Sequence, residues 1–268
     1  MLPGFIIIGA MKGGTSSLYR YIASHPDVVP SSTKETDFFK TVDDFNKGLD
    51  WYKSLFRQNG ELAFEASPNY TKRHIFPGIP ARMHSVLPEA KLIYVLRDPI
   101  DRVVSHYVHN YAHGRESRLL SEVIRSPDSN YIQTSNYYFQ IQGFLEYYSD
   151  KKLLLIESER LRKDTVNVVN DVFKFLNLSP EHDTSILEKN FHLSSEKKRK
   201  SSLERALETR TTNRYLRSGI RLITAPLRKS IERPKLSSVE STILAEALAP
   251  DVEKLRRFSG LEFSNWSL

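Results

Sequence analysis

Cysteine is absent from this chain of 268 residues. Its absence excludes disulfide bridges, thiolate metal sites and catalysis by a cysteine nucleophile. Long apolar runs are also absent near the N-terminus, where residues 5–8 form a run only as long as a β-strand. No charged segment leads into a longer apolar stretch with a cleavage site, so the start predicts neither a signal peptide nor a membrane span. We therefore expect a cytoplasmic location.

The composition is that of a globular protein with an excess of positive charge. Hydrophobic residues make up 40% of the chain and charged residues 26%, which is ordinary for a folded protein. The length suits one substantial α/β core and no long linker interrupts it, so we expect a single domain over residues 1–268. The formal charge of +7 favours a polyanionic partner: nucleic acid, anionic lipid or a phosphorylated cofactor.

A glycine-rich segment follows the first apolar run and reads Gly9-Ala-Met-Lys12-Gly-Gly-Thr-Ser16. The continuous apolar run over residues 5–8 predicts a buried strand of a parallel sheet. Apolar helical spacing resumes downstream, so we expect a helix to begin near Thr15 or Ser16. A strand, a glycine loop and a helix N-terminus together form a cradle of backbone N–H groups for an anion.

The order of residues in this loop separates it from the loop that binds nucleoside triphosphates. In that loop the lysine stands directly before the Ser or Thr that binds magnesium. Here Lys12 precedes Gly13 and Gly14 and supplies a mobile positive charge within the cradle. We therefore expect a phosphorylated ligand. A P-loop-like kinase is disfavoured but stays an alternative, as does a glycine turn without a ligand.

A second candidate phosphate site follows the apolar strand predicted over residues 91–96. Arg97 stands where this strand ends, which is the edge at which open α/β sheets bind ligands. Ser105 lies on the helix that follows, so a guanidinium and a hydroxyl are available to one phosphate. The competing interpretation is a local ion pair of Arg97 with Asp98 or Asp101.

Two further stretches suggest an acceptor cleft. In the polar loop over residues 32–39, Glu35 and Asp37 are two apart, so extended backbone would place both carboxylates on one face; an exposed charged loop is the alternative. The helix after Arg97 carries His106, His109 and His113 as one stripe. We expect imidazoles in a cleft wall or in solvent rather than a metal site.

The C-terminal third is rich in basic residues. Residues 194–235 predict a basic cover over a polyanionic cofactor or a contact with anionic lipid, whereas the scarcity of aromatic residues argues against nucleic acid. A terminal helix is expected over about residues 238–258, followed by an apolar end, Leu261, Phe263 and Trp266, that docks on the body. Residues 131–148 combine aromatic residues and glutamines at helical spacing, which predicts mainly core.

These stretches together resemble the sulfotransferases that use 3′-phosphoadenosine 5′-phosphosulfate (PAPS), and most closely their glycan-type and bacterial members. The likeness covers roughly residues 4–180, with a weaker echo at residues 197–202. The segments that carry it are residues 9–16, 96–105, 34–39, 65–70 and 135–140. The first two are specific in combination, because their order, separation and neighbouring strands all fit.

The resemblance implies a P-loop NTPase-like sulfotransferase fold, a parallel sheet flanked by helices, and a set of donor-binding residues. Lys12 would contact the bridging oxygen and stabilise the leaving phosphate. Arg97 and Ser105 would hold the 3′-phosphate. The donor set that the resemblance implies is Lys12, Gly13, Gly14, Thr15, Ser16, Arg97, Ser105, Arg199 and Lys200.

The resemblance also implies that Glu35 is the general base, and that the acceptor contacts come from Asp37, Phe38, His106 and Tyr137. In-line sulfonate transfer needs positioning, a cation on the departing phosphate and a base near the nucleophile, so we expect no metal. The expected products are adenosine 3′,5′-bisphosphate (PAP) and a sulfated acceptor.

The expected acceptor is a hydroxyl, or else an amine, of a small molecule or a saccharide. Glycan-type members often carry lysine where this chain has Ala66, and several carry histidine where it has Asp37. Both differences remove positive charge and argue against a highly anionic polysaccharide such as heparan sulfate. A non-enzymatic binder of anionic lipid or nucleic acid stays a further alternative. We expect no nucleic-acid partner, and weak contact with an anionic membrane fits the basic segment. The oligomeric state is open.

Overall fold

The computed structural model describes residues 1–56, 60–179, 198–199, 204, 206–207, 211 and 214–268. Its centre is a five-stranded parallel sheet with the strand order β2-β3-β1-β4-β5. The strands are β1 Pro3–Gly9, β2 Val28–Pro30, β3 Leu62–Ala66, β4 Lys91–Leu96 and β5 Leu153–Glu157. The predicted fold class, a parallel sheet flanked by helices, is confirmed.

Helices cover both faces of this sheet. The helices among the described residues are α1 Thr15–Ile22, α2 Val42–Phe45, α3 Leu49–Ser54, α4 Ile79–Val86, α5 Pro99–Ala112, α6 Leu120–Val123, α7 Asn130–Gln133, α8 Tyr137–Leu145, α9 Ser158–Lys163, α10 Thr165–Leu176, the basic helix Arg214–Thr224 and the C-terminal helix Ser238–Ser259. A 3₁₀ turn, Pro68–Thr71, follows β3. Two short antiparallel strands, Lys198–Arg199 and Lys229–Ser230, pair outside the main sheet.

The central strand β1 contacts two separate hydrophobic clusters. Phe5 and Ile7 pack on one face with residues of α1 and α10. Ile6 and Ile8 pack on the other face with residues of α4, α8 and the C-terminal helix. Because successive side chains of a strand point to opposite faces, an uninterrupted apolar run is what a strand covered on both faces requires.

The aromatic segment over residues 131–148 is two helices rather than one. Helices α7 and α8 are separated at residues 134–136. The hydroxyls of Thr134 and Ser135 donate to the carbonyl oxygens of Asn130 and Tyr131, at 2.7 and 3.2 Å. Such local side-chain bonds to the backbone compete with helix continuation. The break separates α7 from the start of α8 at Tyr137.

The C-terminal helix and the tail dock on the body of the domain. Asp251 accepts hydrogen bonds from the backbone N–H groups of Tyr138 and Phe139, each at 2.8 Å, and so binds the N-terminus of α8. In the tail, the rings of Phe263 and Trp266 stack with centroids 4.2 Å apart and are buried. Leu261, which the sequence also assigned to this apolar end, is instead exposed.

The parallel arrangement determines where the candidate motifs meet. The carboxyl ends of β1, β3 and β4 lie at one edge of the sheet, since these strands are neighbours that run in the same direction. The segments that leave them are residues 10–14, 67–72 and 97–98. Open α/β sheets bind ligands at this edge. Across the described residues, we find no helix with the length and apolarity that crossing a membrane requires; the cytoplasmic location stays a prediction.

Candidate active site

The glycine loop after β1 has the geometry of an anion cradle. Helix α1 begins at Thr15, as expected, but the residue that caps it is Gly14, with φ 110°, and no side chain caps the helix. The first backbone N–H groups of a helix have no partner within the helix. The backbone around Thr15 and Ser16 therefore offers donors to an anion, and the helix dipole favours negative charge at the same point.

Gly13 shows why this loop needs residues without side chains. Its N–H donates to the carbonyl oxygen of Ala10 at 2.9 Å, and the N–H of Ala10 donates to Val95 at 2.8 Å. A Cβ atom on Gly13 would lie 2.3 Å from the carbonyl oxygen of Val95, so the loop lies directly on β4. Lys12 has φ 71° and is partly buried at the tip of this turn. The loop fits a phosphate group, which needs close backbone approach and a cation.

Arg97 lies at the end of β4 and is 8% exposed. Its Nη2 donates to Asp101 Oδ2 at 2.7 Å, so the local ion pair considered from the sequence is present. Its buried Nε, however, has no hydrogen-bond partner in the part of the chain that the structure describes, and buried polar atoms of this kind usually have one. An oxyanion is a suitable acceptor for that N–H. Ser105, on α5, is 4% exposed.

Arg102 is a central residue of the site that sequence reasoning did not include. Its side chain is fully buried and donates to Ser135 Oγ and to the carbonyl oxygen of Tyr131. Its Nη1 also reaches the carbonyl oxygen of Met11, in the glycine loop, at 3.5 Å. Burial lowers the pKa of Arg102 to about 10. Its position three residues before Ser105, on the same helix face, is the sequence feature that could have assigned Arg102 to the site.

His106 is buried beside Arg102, with 3.3 Å between its Nδ1 and Arg102 Nη1. Burial lowers the pKa of His106 well below its usual value, and the positive charges of Arg102, Lys72, His109 and Lys12 add to this effect. His106 is therefore neutral at physiological pH. His109 and His113 pack against each other, with ring centroids 4.4 Å apart. In the part of the chain that the structure describes, no group of histidine and carboxylate side chains is arranged to hold a metal ion.

The loop that carries Glu35 is anchored by a buried carboxylate, Glu65, which the sequence did not single out as a support. Thr36 Oγ1 and Ser67 Oγ each donate to Glu65 Oε2 at 2.6 Å, and the hydroxyl of Tyr52 donates to Oε1 at 2.7 Å. Burial raises the pKa of Glu65, while these hydroxyl donors oppose the rise. Because Thr36 follows Glu35 directly, this network fixes the backbone on which Glu35 stands.

Glu35 and Asp37 differ in their surroundings. The side chain of Glu35 is 50% exposed, and its contact is with Lys34 Nζ at 3.0 Å. Asp37 has φ 52°, so the extended backbone expected from the sequence is interrupted there. Its carboxylate accepts from Lys40 Nζ at 2.9 Å and from Asn69 Nδ2 at 3.1 Å. Glu35 is thus the more accessible carboxylate of the two.

Like His106, two aromatic residues expected to touch an acceptor are buried instead. Phe38 lies in the core and stacks on the ring of Tyr52 with centroids 4.3 Å apart. Tyr137 is also fully buried, and its hydroxyl donates to the carbonyl oxygen of Arg97 at 2.7 Å. Neither ring offers surface to a ligand. Phe38 supports the loop of Glu35, and Tyr137 supports the backbone of Arg97.

The basic C-terminal segment reaches this site at two points. The guanidinium of Arg199 lies 4.0 Å over the ring of Tyr111, on α5, and donates to its hydroxyl at 2.7 Å. Arg233 Nη2 donates to Asp101 Oδ1 at 2.8 Å, and Asp101 is the partner of Arg97. Lys200 and most of residues 180–213 lie outside the described residues.

The glycine loop is joined to the loop of Glu35 through hydrogen bonds of Met11, Lys72, Asn69 and Asp37. A parallel sheet with a glycine loop between its central strand and the next helix defines a P-loop-like α/β protein. The model of the sulfotransferase domain family matches residues 2–221. The chain belongs to this family, which confirms the expected enzyme class and does not favour a kinase.

Two mammalian proteins are similar to this chain over a part of their length. Bifunctional heparan sulfate N-deacetylase/N-sulfotransferase 4 of Mus musculus is 32% identical over 206 residues, which are 69% of this chain and 23% of that protein. Bifunctional heparan sulfate N-deacetylase/N-sulfotransferase 3 of Homo sapiens is 31% identical over 206 residues, with the same two shares. The chain thus spans less than a quarter of the length of these curated relatives.

A solved bacterial structure shares the fold over its entire length. The sulfotransferase from Alicyclobacillus acidocaldarius has a TM-score of 0.73 and 24% sequence identity, and the match covers 100% of both chains. At this identity the likeness concerns the fold alone. The sheet, the flanking helices and the loop after β1 therefore make up a P-loop-like sulfotransferase fold.

Proposed function

We propose that this chain transfers a sulfonate group from PAPS to a nucleophile on a saccharide or a small molecule and releases PAP. The observation that supports the proposal is the position of the glycine loop beside Arg97 at the end of β4. The glycine loop, with its N–H groups and Lys12, lies against Val95. Arg97 follows two residues later, and its Nε has no hydrogen-bond partner among the described residues. PAPS carries phosphate at both the 3′ and the 5′ position of its ribose, so one donor molecule would contact both the glycine loop and Arg97.

The glycine loop stabilises the departing phosphate of the donor. The bond between sulfur and the bridging oxygen breaks, and negative charge grows on the departing phosphate. Lys12 and the N–H groups at the start of α1 stabilise that charge, and they are held in place before the reaction. Burial of Arg102 directly behind Met11 adds a second fixed positive charge. The site thus favours the charge distribution of the products.

The loop of Glu35 supplies the base that activates the acceptor. A hydroxyl oxygen or an amine nitrogen of the acceptor forms the new bond to sulfur, and its proton passes to the carboxylate of Glu35. A base for this step must be ionised and accessible. The half-exposed Glu35 meets the second requirement better than Asp37, whose carboxylate is bound by Lys40 and Asn69.

The names of the two mammalian relatives refer to heparan sulfate and to N-sulfation, which supports a saccharide acceptor and keeps an amine nucleophile open. The proposal does not extend to heparan sulfate itself. Asp37 carries no positive charge at a position where several glycan-type members have histidine. Ala66, where they often have lysine, is a buried apolar residue. We therefore propose a less anionic saccharide or a small molecule.

Donor binding by the purified chain tests this proposal. PAP at about 100 times its Kd is expected to raise the Tm by about 5–10 °C, whereas ATP with magnesium is not. Arg97→Ala should reduce the shift with PAP. Arg257→Ala is a matched control, because Arg257 also pairs with a carboxylate four residues away, Glu253, but on the C-terminal helix. Stabilisation by ATP with magnesium alone would favour a kinase.

We further propose that residues 194–235 cover the donor and touch an anionic membrane. Arg233 and Arg199 support the first part, since both contact residues of α5. The basic helix Arg214–Thr224 supports the second part. It contains three arginines, and Leu222 and Ile223 are 77% and 80% exposed. Basic helices with exposed apolar residues bind at anionic lipid surfaces.

Vesicle binding tests the membrane contact. We expect the chain to co-sediment with vesicles that contain phosphatidylserine, and much less with vesicles of phosphatidylcholine alone. The double variant Leu222→Ser with Ile223→Ser should lose most of this binding. Val239→Ser, at another exposed apolar residue, should retain it. Equal binding to both kinds of vesicle, or full binding by the double variant, would contradict the proposal.

A further inference from the structure

Lys72 is a buried lysine at the centre of the site. It directly follows the 3₁₀ turn Pro68–Thr71 after β3, and it is 7% exposed. Its Nζ donates to Asn69 Oδ1 at 2.9 Å and lies 3.0 Å from Met11 Sδ, in the glycine loop. The ammonium group is therefore held between the loop after β1 and the turn after β3.

The partners of Lys72 are poor for a buried ammonium group. Among the residues described, Lys72 forms no ion pair with a carboxylate. Its acceptors are one neutral amide oxygen and one thioether sulfur, which is a weak acceptor, whereas an ammonium group has three N–H donors. Burying a charge without a paired charge is costly. A lysine in this situation is better explained by a ligand than by folding.

The charges around Lys72 come from three parts of the chain. Glu35 and Asp37 face it from the polar loop, Arg102 and His106 from α5, and Arg115 from the segment after α5. Burial and the two arginines lower the pKa of Lys72 to about 8, and the two carboxylates oppose this effect. Lys72 is thus electrostatically coupled both to the proposed base and to the cations of the donor site.

We propose that Lys72 is a further catalytic residue, which donates a hydrogen bond to the sulfonate group during its transfer. The inference rests on the proposed function. Met11 and Lys12 are consecutive, so an ammonium group at Met11 adjoins the loop that would hold the bridging phosphate. Contact with Asn69, which in turn donates to Asp37, orients the group toward the acceptor side. Lys12 stabilises the departing phosphate, and Lys72 binds the sulfonate group while it passes from donor to acceptor.

The variant Lys72→Met separates this role from a structural one. PAP has no sulfonate group, so the PAP-induced Tm shift should be nearly unchanged, while turnover with PAPS should fall about 100-fold. In the unmodified chain, turnover should fall as the pH rises through about 8, because Lys72 then loses its proton and its charge. The residual activity of Lys72→Met should lack this fall.

Lys91→Met is the matched control, because Lys91 is a partly buried lysine at the N-terminal end of β4, the opposite edge of the sheet. It should keep normal turnover. Normal turnover in Lys72→Met would overturn the inference about Lys72 but not the proposed function. A parallel loss of turnover, PAP binding and thermal stability would do the same. If the unmodified chain neither binds PAP nor transfers sulfonate, the proposed function itself fails.

Discussion

Lys12→Ala is expected to lower turnover with PAPS by about 100- to 1,000-fold, the loss typical when one preorganised group is removed from a developing negative charge. The N–H groups at the start of α1 remain in the variant, so donor binding should weaken less than turnover. The fold should survive, since Lys12 lies in a turn outside the core. Steady-state kinetics and a PAP-induced Tm shift measure the two effects separately.

Lys151→Ala is a suitable control for that experiment. Lys151 is an exposed lysine in the turn before β5, away from the carboxyl edge of the sheet. Its removal should leave turnover and PAP binding unchanged. A Lys12→Ala variant with normal turnover would indicate that another cation stabilises the departing phosphate, and Arg102 and Lys72 are the candidates because both contact Met11.

Glu35→Gln is expected to lower turnover by about 100- to 10,000-fold, the range for removal of a general base. Glutamine keeps the size of the side chain but cannot accept the proton of the acceptor. Stability should change little, because the carboxylate is half exposed and its ion pair with Lys34 lies at the surface. The measurement is turnover at saturating acceptor, together with the Tm of the variant.

Glu89→Gln is the matched control for Glu35→Gln. Glu89 is likewise an exposed glutamate in an ion pair with a lysine, Lys152, but it lies before β4 at the other edge of the sheet. Only the variant at Glu35 should lose activity. Near-normal turnover in Glu35→Gln would indicate that Asp37 or His106 is the general base instead. The burial of His106 and its neighbouring cations make it a poor receiver of a proton.

The structure explains why Glu35 depends on residues far along the chain. Glu65 fixes Thr36 and Ser67 through its carboxylate, and Phe38 stacks on Tyr52 below the same loop. A polar loop that is anchored on both sides in this way holds its backbone in a defined position. Preorganisation of this kind is what positions a base before the acceptor arrives.

Much of the local structure could be predicted because it depends on short-range chemistry. The apolar run at residues 5–8, the two glycines of the loop and the hydroxyl residues after them specify a strand, a turn and a helix without reference to the rest of the chain. The helix begins at Thr15 as predicted. Its cap is Gly14 rather than a hydroxyl residue, because the turn requires a positive φ at that position.

The identities of the supporting residues could not be predicted in the same way. The hydrogen bond between Lys72 and Met11 joins residues 61 apart, and the one between Tyr137 and Arg97 joins residues 40 apart. Burial also changed the predicted roles of Phe38 and Tyr137. Aromatic residues of this kind often line ligand-binding surfaces, but these two lie in the core. No spacing pattern within one segment carries this information.

The sequence by itself therefore determined the strands, the phosphate loop, the arginine at the end of β4 and the family, because each of these depends on a short run of residues in order. Only the tertiary structure decided which charges are buried and what they contact. Arg102, Lys72 and Glu65 become parts of the site because parallel strands bring the ends of distant segments to one edge of the sheet. Their energies depend on burial and on partners that the fold alone brings together.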